Sequence, residues 1–291
     1  MNKTNYLPSK RHLQFIKLAG DLAEQTCEEA NSLGFMSRLL LMVNLPYRNP
    51  GDETRVWIRK NGNVSLIVTP SYDDSGVSVG LPYGTYPRLI LAYLITQAVK
   101  TSSPHIYLGK SFRDFLTLLD LKKGGYQYTQ IKKQIDRTLS TSFSWTYKNN
   151  QYSSRINVQV SRKSQLWWNP RLLDQTCIWD NYIILNTDFY NEIVKKAVPL
   201  DLRALAILKN SPLGLDLYMF ISWRVFKLKK PVYISWKNLQ DQVGGQYEEI
   251  YVFSRDCRKH FNIIQAISPY LNIKILKGRM CLYPQFYIHT P

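Results

Sequence analysis

The chain has 291 residues and carries 38 Lys and Arg against 21 Asp and Glu, a formal net charge of +17. That length allows one large domain or two ordinary ones. With 45% hydrophobic and 20% charged residues, the composition excludes the disordered class. Apolar runs such as Leu39–Val43 are too short to cross a membrane, and we expect no secretory signal. The four cysteines form no CxxC pair, which favours reduced thiols in a cytoplasmic protein.

The positive charge is concentrated in two blocks. Residues 101–170 hold 11 basic side chains against 3 acidic ones, net +8, and residues 200–291 hold 13 against 6, net +7. Residues 1–80, 81–100 and 171–199 carry only +1, +2 and −1. Two basic blocks indicate two sites for a polyanion, most simply a nucleic-acid duplex. A generally basic, solvated surface is the alternative.

The first 80 residues are predicted to form a helix, three strands and a loop. Helical spacing of apolar residues predicts a helix over Ser9–Leu33, ended by Gly34. The strands are predicted at Leu39–Leu45, Arg55–Arg59 and Val64–Thr69. The Asn61-Gly62 pair between the last two strands is typical of a hairpin. Tyr72–Gly80 is rich in Asp, Ser and Gly and is a predicted loop.

Two later segments share one order of elements: helix, strand, helix, Gly-Gly turn, basic helix, hairpin. The first is predicted at Leu89–Lys100, His105–Leu108, Phe112–Leu121, Tyr128–Phe143, and the strands Ser144–Lys148 and Arg155–Ser161. The second is predicted at Leu215–Lys227, Val232–Trp236, Asn238–Val243, Glu249–Ile267, and the strands Asn272–Leu276 and Met280–Tyr283. This is the order of a winged helix-turn-helix, whose third helix can enter the major groove.

The repeat predicts an α+β fold with two tandem winged-helix domains and an N-terminal helix and β-hairpin extension. The extension is residues 1–80, and the first winged-helix domain is residues 81–170. A connecting segment, residues 171–199, leads to the second winged-helix domain, residues 200–291.

Polar and basic residues on the third helices and the hairpins are the candidate DNA contacts, because the start of such a helix meets base edges and the wing meets phosphates. In the first unit they are Lys122, Lys123, Gln127, Tyr128, Thr129, Lys132, Lys133 and Arg137, with Lys148, Arg155, Arg162 and Lys163 on or beside the wing. In the second unit they are Gln246, Tyr247, Ser254, Arg255, Arg258 and Lys259, with Lys277 and Arg279 at the wing tip. For each residue, an ordinary solvated helix face is the competing interpretation.

Catalytic and cofactor signals are weak. Gly109-Lys110-Ser111 resembles the end of a phosphate-binding loop, but Pro104 stands where that motif needs Gly. Ser111 is better explained as a helix N-cap. The chain has no HxH pair, and Asp73-Asp74 lies in a predicted loop without ligand-type neighbours. We therefore predict no catalytic residues, no metal, no cofactor and no enzymatic activity.

Residues 80–88, which read GLPYGTYPR, and the segments that follow them to Ser103-Pro104 and through Leu108–Leu121 resemble the plasmid-encoded RepA family of replication initiators. The resemblance implies binding to repeated sites at a plasmid origin and recruitment of a host replication initiator or helicase. Related initiators carry two winged-helix domains, and their first unit often makes a dimer contact. The resemblance therefore leaves two active forms to distinguish, a monomer and a homodimer. Tyr83, Tyr86 and Arg88 belong to the family pattern without an assigned DNA contact, and Pro82 and Pro87 are expected to shape the start of the adjoining helix.

The sequence thus predicts a plasmid replication initiator that binds duplex DNA at its origin and has no membrane partner. The alternative of the same fold is a sequence-specific transcriptional repressor. A nuclease or nickase is a third hypothesis. RNA binding through Trp167-Trp168 and the 20 tyrosines is a fourth, and it would favour single strands.

Overall fold

The structure is a computed structural model that describes residues 20, 22, 24–109, 116, 117, 119, 121, 125–166, 181–225, 228–268 and 271–284. Within these residues it contains eight helices: α1 (Arg38–Met42), α2 (Thr85–Thr101), α3 (Gly125–Ser140), α4 (Thr187–Lys195), α5 (Leu202–Leu208), α6 (Pro212–Val225), α7 (Trp236–Val243) and α8 (Ile250–Ile267). The twelve strands of the same residues are β1 (Leu33–Ser37), β2 (Trp57–Asn61), β3 (Val64–Thr69), β4 (His105–Tyr107), β5 (Ser142–Lys148), β6 (Ser153–Gln159), β7 (Ser161–Gln165), β8 (Tyr182–Leu185), β9 (Ala197–Asp201), β10 (Val232–Ser235), β11 (Ile273–Leu276) and β12 (Arg279–Leu282). The predicted mixed α+β class is confirmed.

Two three-stranded antiparallel sheets have the same internal order. One runs β4-β8-β7 and the other β10-β12-β11. In each sheet, the strand that comes last in the sequence lies in the middle and pairs with both of the others. β8 therefore lies between β4 and β7, and β12 lies between β10 and β11. Strand β8 lies in the predicted connecting segment, so residues 182–185 complete the first of these sheets.

The hairpin predicted as the first wing forms, but it pairs elsewhere than predicted. Strands β5 and β6 join the β2–β3 hairpin in a four-stranded sheet of order β2-β3-β5-β6, whereas β4 pairs with β8. The reason lies in the facing residues: Val68 lies opposite Phe143 and Leu66 opposite Trp145, and all four are buried. Such same-face apolar pairs stabilise neighbouring strands.

The β2–β3 hairpin matches its prediction closely. Strand β3 has the predicted bounds, β2 is displaced by two residues, and Gly62 in the turn has φ +55°, a conformation that glycine adopts without strain. The predicted loop Tyr72–Gly80 contains a single isolated bridge, between Tyr72 and Ser78.

The predicted elements around residue 35 are wrong. The Leu39–Leu45 segment is not a strand: residues 38–42 form helix α1, whose N-cap Ser37 accepts a hydrogen bond from the Leu39 N–H over 3.3 Å. Residues 25–32 are not helical, and Gly34 does not end a helix but lies within β1, which pairs with β9. A Cβ at Gly34 would come within 2.3 Å of Leu202 Cδ2, so a larger residue here would force the Leu202 side chain to move.

The predicted helices that match α2, α3, α6, α7 and α8 lie within a few residues of the observed bounds, whereas α4 and α5 had no predicted counterpart. Helix α2 begins at Thr85, four residues before the predicted start, with Pro87 in its first turn. This position suits proline because the first N–H groups of a helix have no partner within the helix. The strand and helices of the second unit appear as β10, α7 and α8. The predicted helix Phe112–Leu121 falls largely outside the described residues.

The basic helices α3 and α8 both bury one face. Ile131, Ile135 and Leu139 of α3, which are four residues apart, are buried, as are Phe253 and Cys257 of α8. Helix α3 packs against α2 and helix α8 against α6, and all belong to one continuous hydrophobic core. The opposite face of each basic helix is therefore directed to solvent.

Candidate nucleic-acid interface

Helix α3 exposes part of the predicted contact set. Gln127, Thr129 and Lys133 are exposed. Lys132 is partly exposed and its Nζ lies 3.2 Å from Asp136 Oδ2, an i,i+4 pair that leaves the cation available to an incoming phosphate because such surface pairs are weak. Tyr128 is buried. Lys122 and Lys123 lie outside the described residues.

Arg137 is not on the exposed face, contrary to the prediction. It is 6% exposed, its Nε donates to the Val79 carbonyl over 2.8 Å, and its Nη2 lies 2.7 Å from Asp52 Oδ1. Its guanidinium lies 5.5 Å from the Tyr83 ring centroid. Gly80 has φ +86°, and a Cβ there would approach this guanidinium to 2.8 Å. Arg137 therefore fastens the loop before α2 to helix α3.

Helix α8 carries a cluster of exposed cations on the second unit. Arg255, Arg258 and Lys259 are all exposed, and Lys259 and Arg255 each lie 3.2 Å from Asp256 Oδ1. Partial burial opposes ionisation of Asp256, but hydrogen bonds from Arg255 and Lys259 outweigh this effect and lower the pKa of the carboxyl. Asp256 therefore stays charged and holds the two cations beside each other.

The remaining predicted residues at α8 are largely engaged inside the protein. Ser254 is 4% exposed and its hydroxyl donates to the Tyr251 carbonyl over 3.0 Å. It therefore does not face a ligand as predicted. Gln246 accepts hydrogen bonds from the Tyr47 and Arg48 N–H groups at 2.8 and 2.7 Å. Tyr247 is partly buried, and this burial, with Asp256 nearby, raises its pKa to about 12.

The predicted wing cations are exposed but belong to different sheets. Lys277 lies at the tip of the β11–β12 hairpin, where Gly278 has φ +75°, and Arg279 lies 4.8 Å from the Tyr233 ring centroid. Lys148 and Arg155 lie on the β5–β6 hairpin, which extends the four-stranded sheet. Arg162 and Lys163 are exposed on β7, the strand that pairs with β8. The cations of the β4-β8-β7 sheet are thus Arg162 and Lys163.

Two residues beside the basic helices were missed by the sequence analysis. The exposed Arg48 helps line a cavity of about 700 Å³ at the start of α8, together with Gln246, Glu248 and Arg255. Lys209, which precedes α6, lines a cavity of about 310 Å³ that also contains Gln127. No local motif points to either residue, because each reaches the helix from a distant part of the chain.

Tyr83 and Arg88, which belong to the family pattern, make contacts inside the protein. The Tyr83 N–H donates to Gln134 Oε1 over 2.9 Å, and Arg88 forms a buried ion pair with Asp216. Burial raises the pKa of Tyr86. This segment therefore connects helices within the protein.

No group of three or more His, Cys, Asp and Glu side chains within the described residues could hold a metal ion. In the same part of the chain, no helix combines the length and apolar character needed to cross a bilayer.

Comparisons with known proteins identify a family and a fold. A family model described as "Plasmid encoded RepA protein" matches residues 81–238. Two solved structures of RctB resemble the chain: SeMet derivatives of domain 2 and domain 3 (13% identity, TM-score 0.51, covering 82% of this chain and 94% of that one), and domains 2-3 (12% identity, TM-score 0.50, covering 82% and 95%). At this identity the likeness concerns the fold alone. No curated protein matches the sequence.

Proposed function

The chain belongs to the plasmid-encoded RepA protein family, and from this premise we propose that it is a plasmid replication initiator. It would bind repeated duplex sites at the origin through two winged-helix units and then recruit a host replication initiator or helicase. In this proposal the protein binds DNA in the cytoplasm and catalyses no reaction. The single observation that carries this proposal is that both basic helices bury one face and direct cations to solvent from the other.

The winged-helix interpretation is supported by the matching strand orders β4-β8-β7 and β10-β12-β11. In each unit, a helix precedes the first strand and a basic helix precedes the last two. We propose the units at residues 81–170 and 200–291, with β8 of the connecting segment completing the first sheet. Of the strands of residues 1–80, β3 pairs with β5 of the first unit, and β1 pairs with β9 at the boundary of the connecting segment and the second unit.

In the proposed complex, the exposed cations of α3 and α8 lie in successive major grooves. Phosphate contacts would supply most of the affinity, and residues at the helix starts would read bases. Of the predicted set, Gln127, Thr129, Lys132, Lys133, Arg255, Arg258 and Lys259 keep this role, and Arg48 joins them. Lys277, Arg279, Arg162 and Lys163 would contact the flanking backbone.

The proposal is tested by footprinting the protein on the DNA flanking its gene and by measuring affinity against salt concentration. Replacing Arg255 and Lys259 together by Ala should weaken binding and reduce the slope of log K against log salt by about 1.8, because each lost phosphate contact removes about 0.9. Lys196→Ala is the control for the loss of a single surface cation. Lys196 also forms a surface ion pair, with Glu192, but it lies outside the proposed interface, so the slope should not change. An unchanged slope in the double variant would remove α8 from the interface.

The footprint also separates the proposal from a transcriptional repressor of the same fold. Direct repeats beside an AT-rich tract would support the initiator, and a short palindrome over a promoter would support the repressor. Size-exclusion chromatography at several concentrations would show whether the proposed DNA-binding form is a monomer or a homodimer.

A further inference from the structure

A buried ion pair joins helix α2 of the first unit to helix α6 of the second. Arg88 on α2 is 3% exposed and Asp216 on α6 is 8% exposed. Arg88 Nε donates to Asp216 Oδ1 over 2.7 Å, and its Nη2 donates to Oδ2 over 2.8 Å. This two-pronged geometry fixes the orientation of both side chains, because the guanidinium and the carboxylate are each planar.

The remaining donors and acceptors of the pair are also used. Arg88 donates to the carbonyls of Gly84, Leu45 and Pro46 at 2.6, 2.9 and 3.3 Å, so all five of its N–H donors have acceptors. Asn44 Nδ2 donates to Asp216 Oδ2 over 3.1 Å and to the Val243 carbonyl over 3.0 Å. The Tyr47 ring centroid lies 5.0 Å from the guanidinium. We call Asn44, Tyr47, Arg88 and Asp216 the junction cluster.

The junction cluster joins α2 and α6, the two helices on which the basic helices α3 and α8 pack. Helix α3 packs on α2, helix α8 packs on α6, and α2 contacts α6 directly. A buried ion pair contributes little net stability compared with apolar residues of the same volume, but it demands one relative geometry of its partners. The ion pair therefore joins the two helices on which α3 and α8 pack.

We propose that the junction cluster sets the spacing of the two half-sites that the protein accepts, with Arg88 and Asp216 as positioning residues. This inference rests on the proposed function. Each added base pair rotates one half-site by about 34° and moves it by about 3.4 Å relative to the other. A rigid pair of helices fits one spacing, whereas a loosened pair fits several.

The binding test uses the footprinted site in duplexes with the spacer between half-sites shortened or lengthened by one and two base pairs. The double variant Arg88→Met/Asp216→Leu removes both charges together, so that no buried charge is left unpaired. Asn44→Ala is a milder second variant that loses only the links to Asp216 and Val243. Glu192→Leu/Lys196→Met is the control, because it also removes one ion pair, but this pair lies at the end of α4 and does not link α2 to α6.

The wild type and the control should lose about tenfold in affinity for one added or removed base pair, and the junction variants about threefold or less. If the junction variants bind more weakly at every spacing with an unchanged profile, the cluster is merely structural and the inference is wrong.

A second measurement needs no DNA. Spin labels attached at Lys133→Cys and Lys259→Cys, with Cys177 replaced by Ser, report the distance between α3 and α8. Cys27, Cys257 and Cys281 are buried and can remain. The distance distribution should be narrow in the control and broader in the junction variants. Equal widths would overturn the inference even if duplex binding is found. Broadening without any duplex binding would instead contradict the proposed function, and with it the role of the cluster in half-site spacing, while its role in orienting α3 relative to α8 would stand.

Discussion

Replacing Arg137 by Ala should destabilise the protein and leave the salt dependence of duplex binding unchanged. The variant loses the hydrogen bond to the Val79 carbonyl, the ion pair with Asp52 and the contact with the Tyr83 ring. The hydrogen bond from a charged donor contributes about 1.5–3 kcal/mol. Since Asp52 is largely exposed, its pairing adds only about 0.5 kcal/mol. The aromatic contact adds about 0.5–1 kcal/mol.

These contributions give an expected loss of about 2.5–4.5 kcal/mol in the free energy of unfolding, from a total of about 5–15 kcal/mol. Urea unfolding followed by circular dichroism measures this loss as a lower midpoint with an unchanged slope. Lys133→Ala is the matched control on the same helix: it should leave stability within about 0.5 kcal/mol and lower the salt slope by about 0.9. Stability like that of the wild type combined with a lower salt slope for Arg137→Ala would refute the buried role of Arg137.

Two further predictions concern packing and pH. Gly34→Ala should lower the free energy of unfolding by about 1–3 kcal/mol through overpacking, because the new Cβ would meet Leu202 Cδ2 at 2.3 Å. Gly20→Ala is the control in thermal unfolding, because a Cβ at Gly20 would have nothing within 4 Å. Equal losses of stability in the two variants would contradict the packing explanation. Burial lowers the pKa of His260 below 6.5, against the attraction of Asp256. The unfolded chain therefore binds more protons just below that pH, and the free energy of unfolding should fall as pH drops through about 6.5 toward the folded pKa. His260→Gln should flatten this dependence in urea titrations at several pH values, and an unaltered dependence would exclude His260 as its source.

Elements with purely local determinants were predictable from the sequence. Strand β3 and helix α8 each have their period of apolar residues, and the turns at Gly62 and Gly278 have their glycines. The burial of Ile131, Ile135 and Leu139 followed from their spacing alone. The same reasoning failed at Leu39–Leu45, where a continuous apolar run fits a buried helix and a buried strand equally well.

Contacts between distant segments were not predictable. Strand β5 pairs with β3 and not with β4, because β3 offers buried apolar residues that face those of β5. The order of the elements along the sequence does not predict which of these two strands becomes the partner. A basic residue on a basic helix resembles a phosphate contact, but Arg137 has Asp52 and Val79 as partners from 85 and 58 residues away. Arg88 has its partner 128 residues away. Charge counts therefore locate the candidate helices but cannot separate their surface cations from those that hold the interior together.

The pairing of β1 with β9 has a consequence for how the chain folds as it is synthesised. Ser32 and Asp201, hydrogen-bonded at the end of this pair, are 169 residues apart. β1 therefore leaves the ribosome long before its partner exists, and it must wait with an open edge until β9 follows. Non-local pairings of this kind slow folding and expose edges to association with other chains. A nascent chain interrupted before residue 197 would retain that open edge, so the edge of β1 is covered only after β9 has been synthesised.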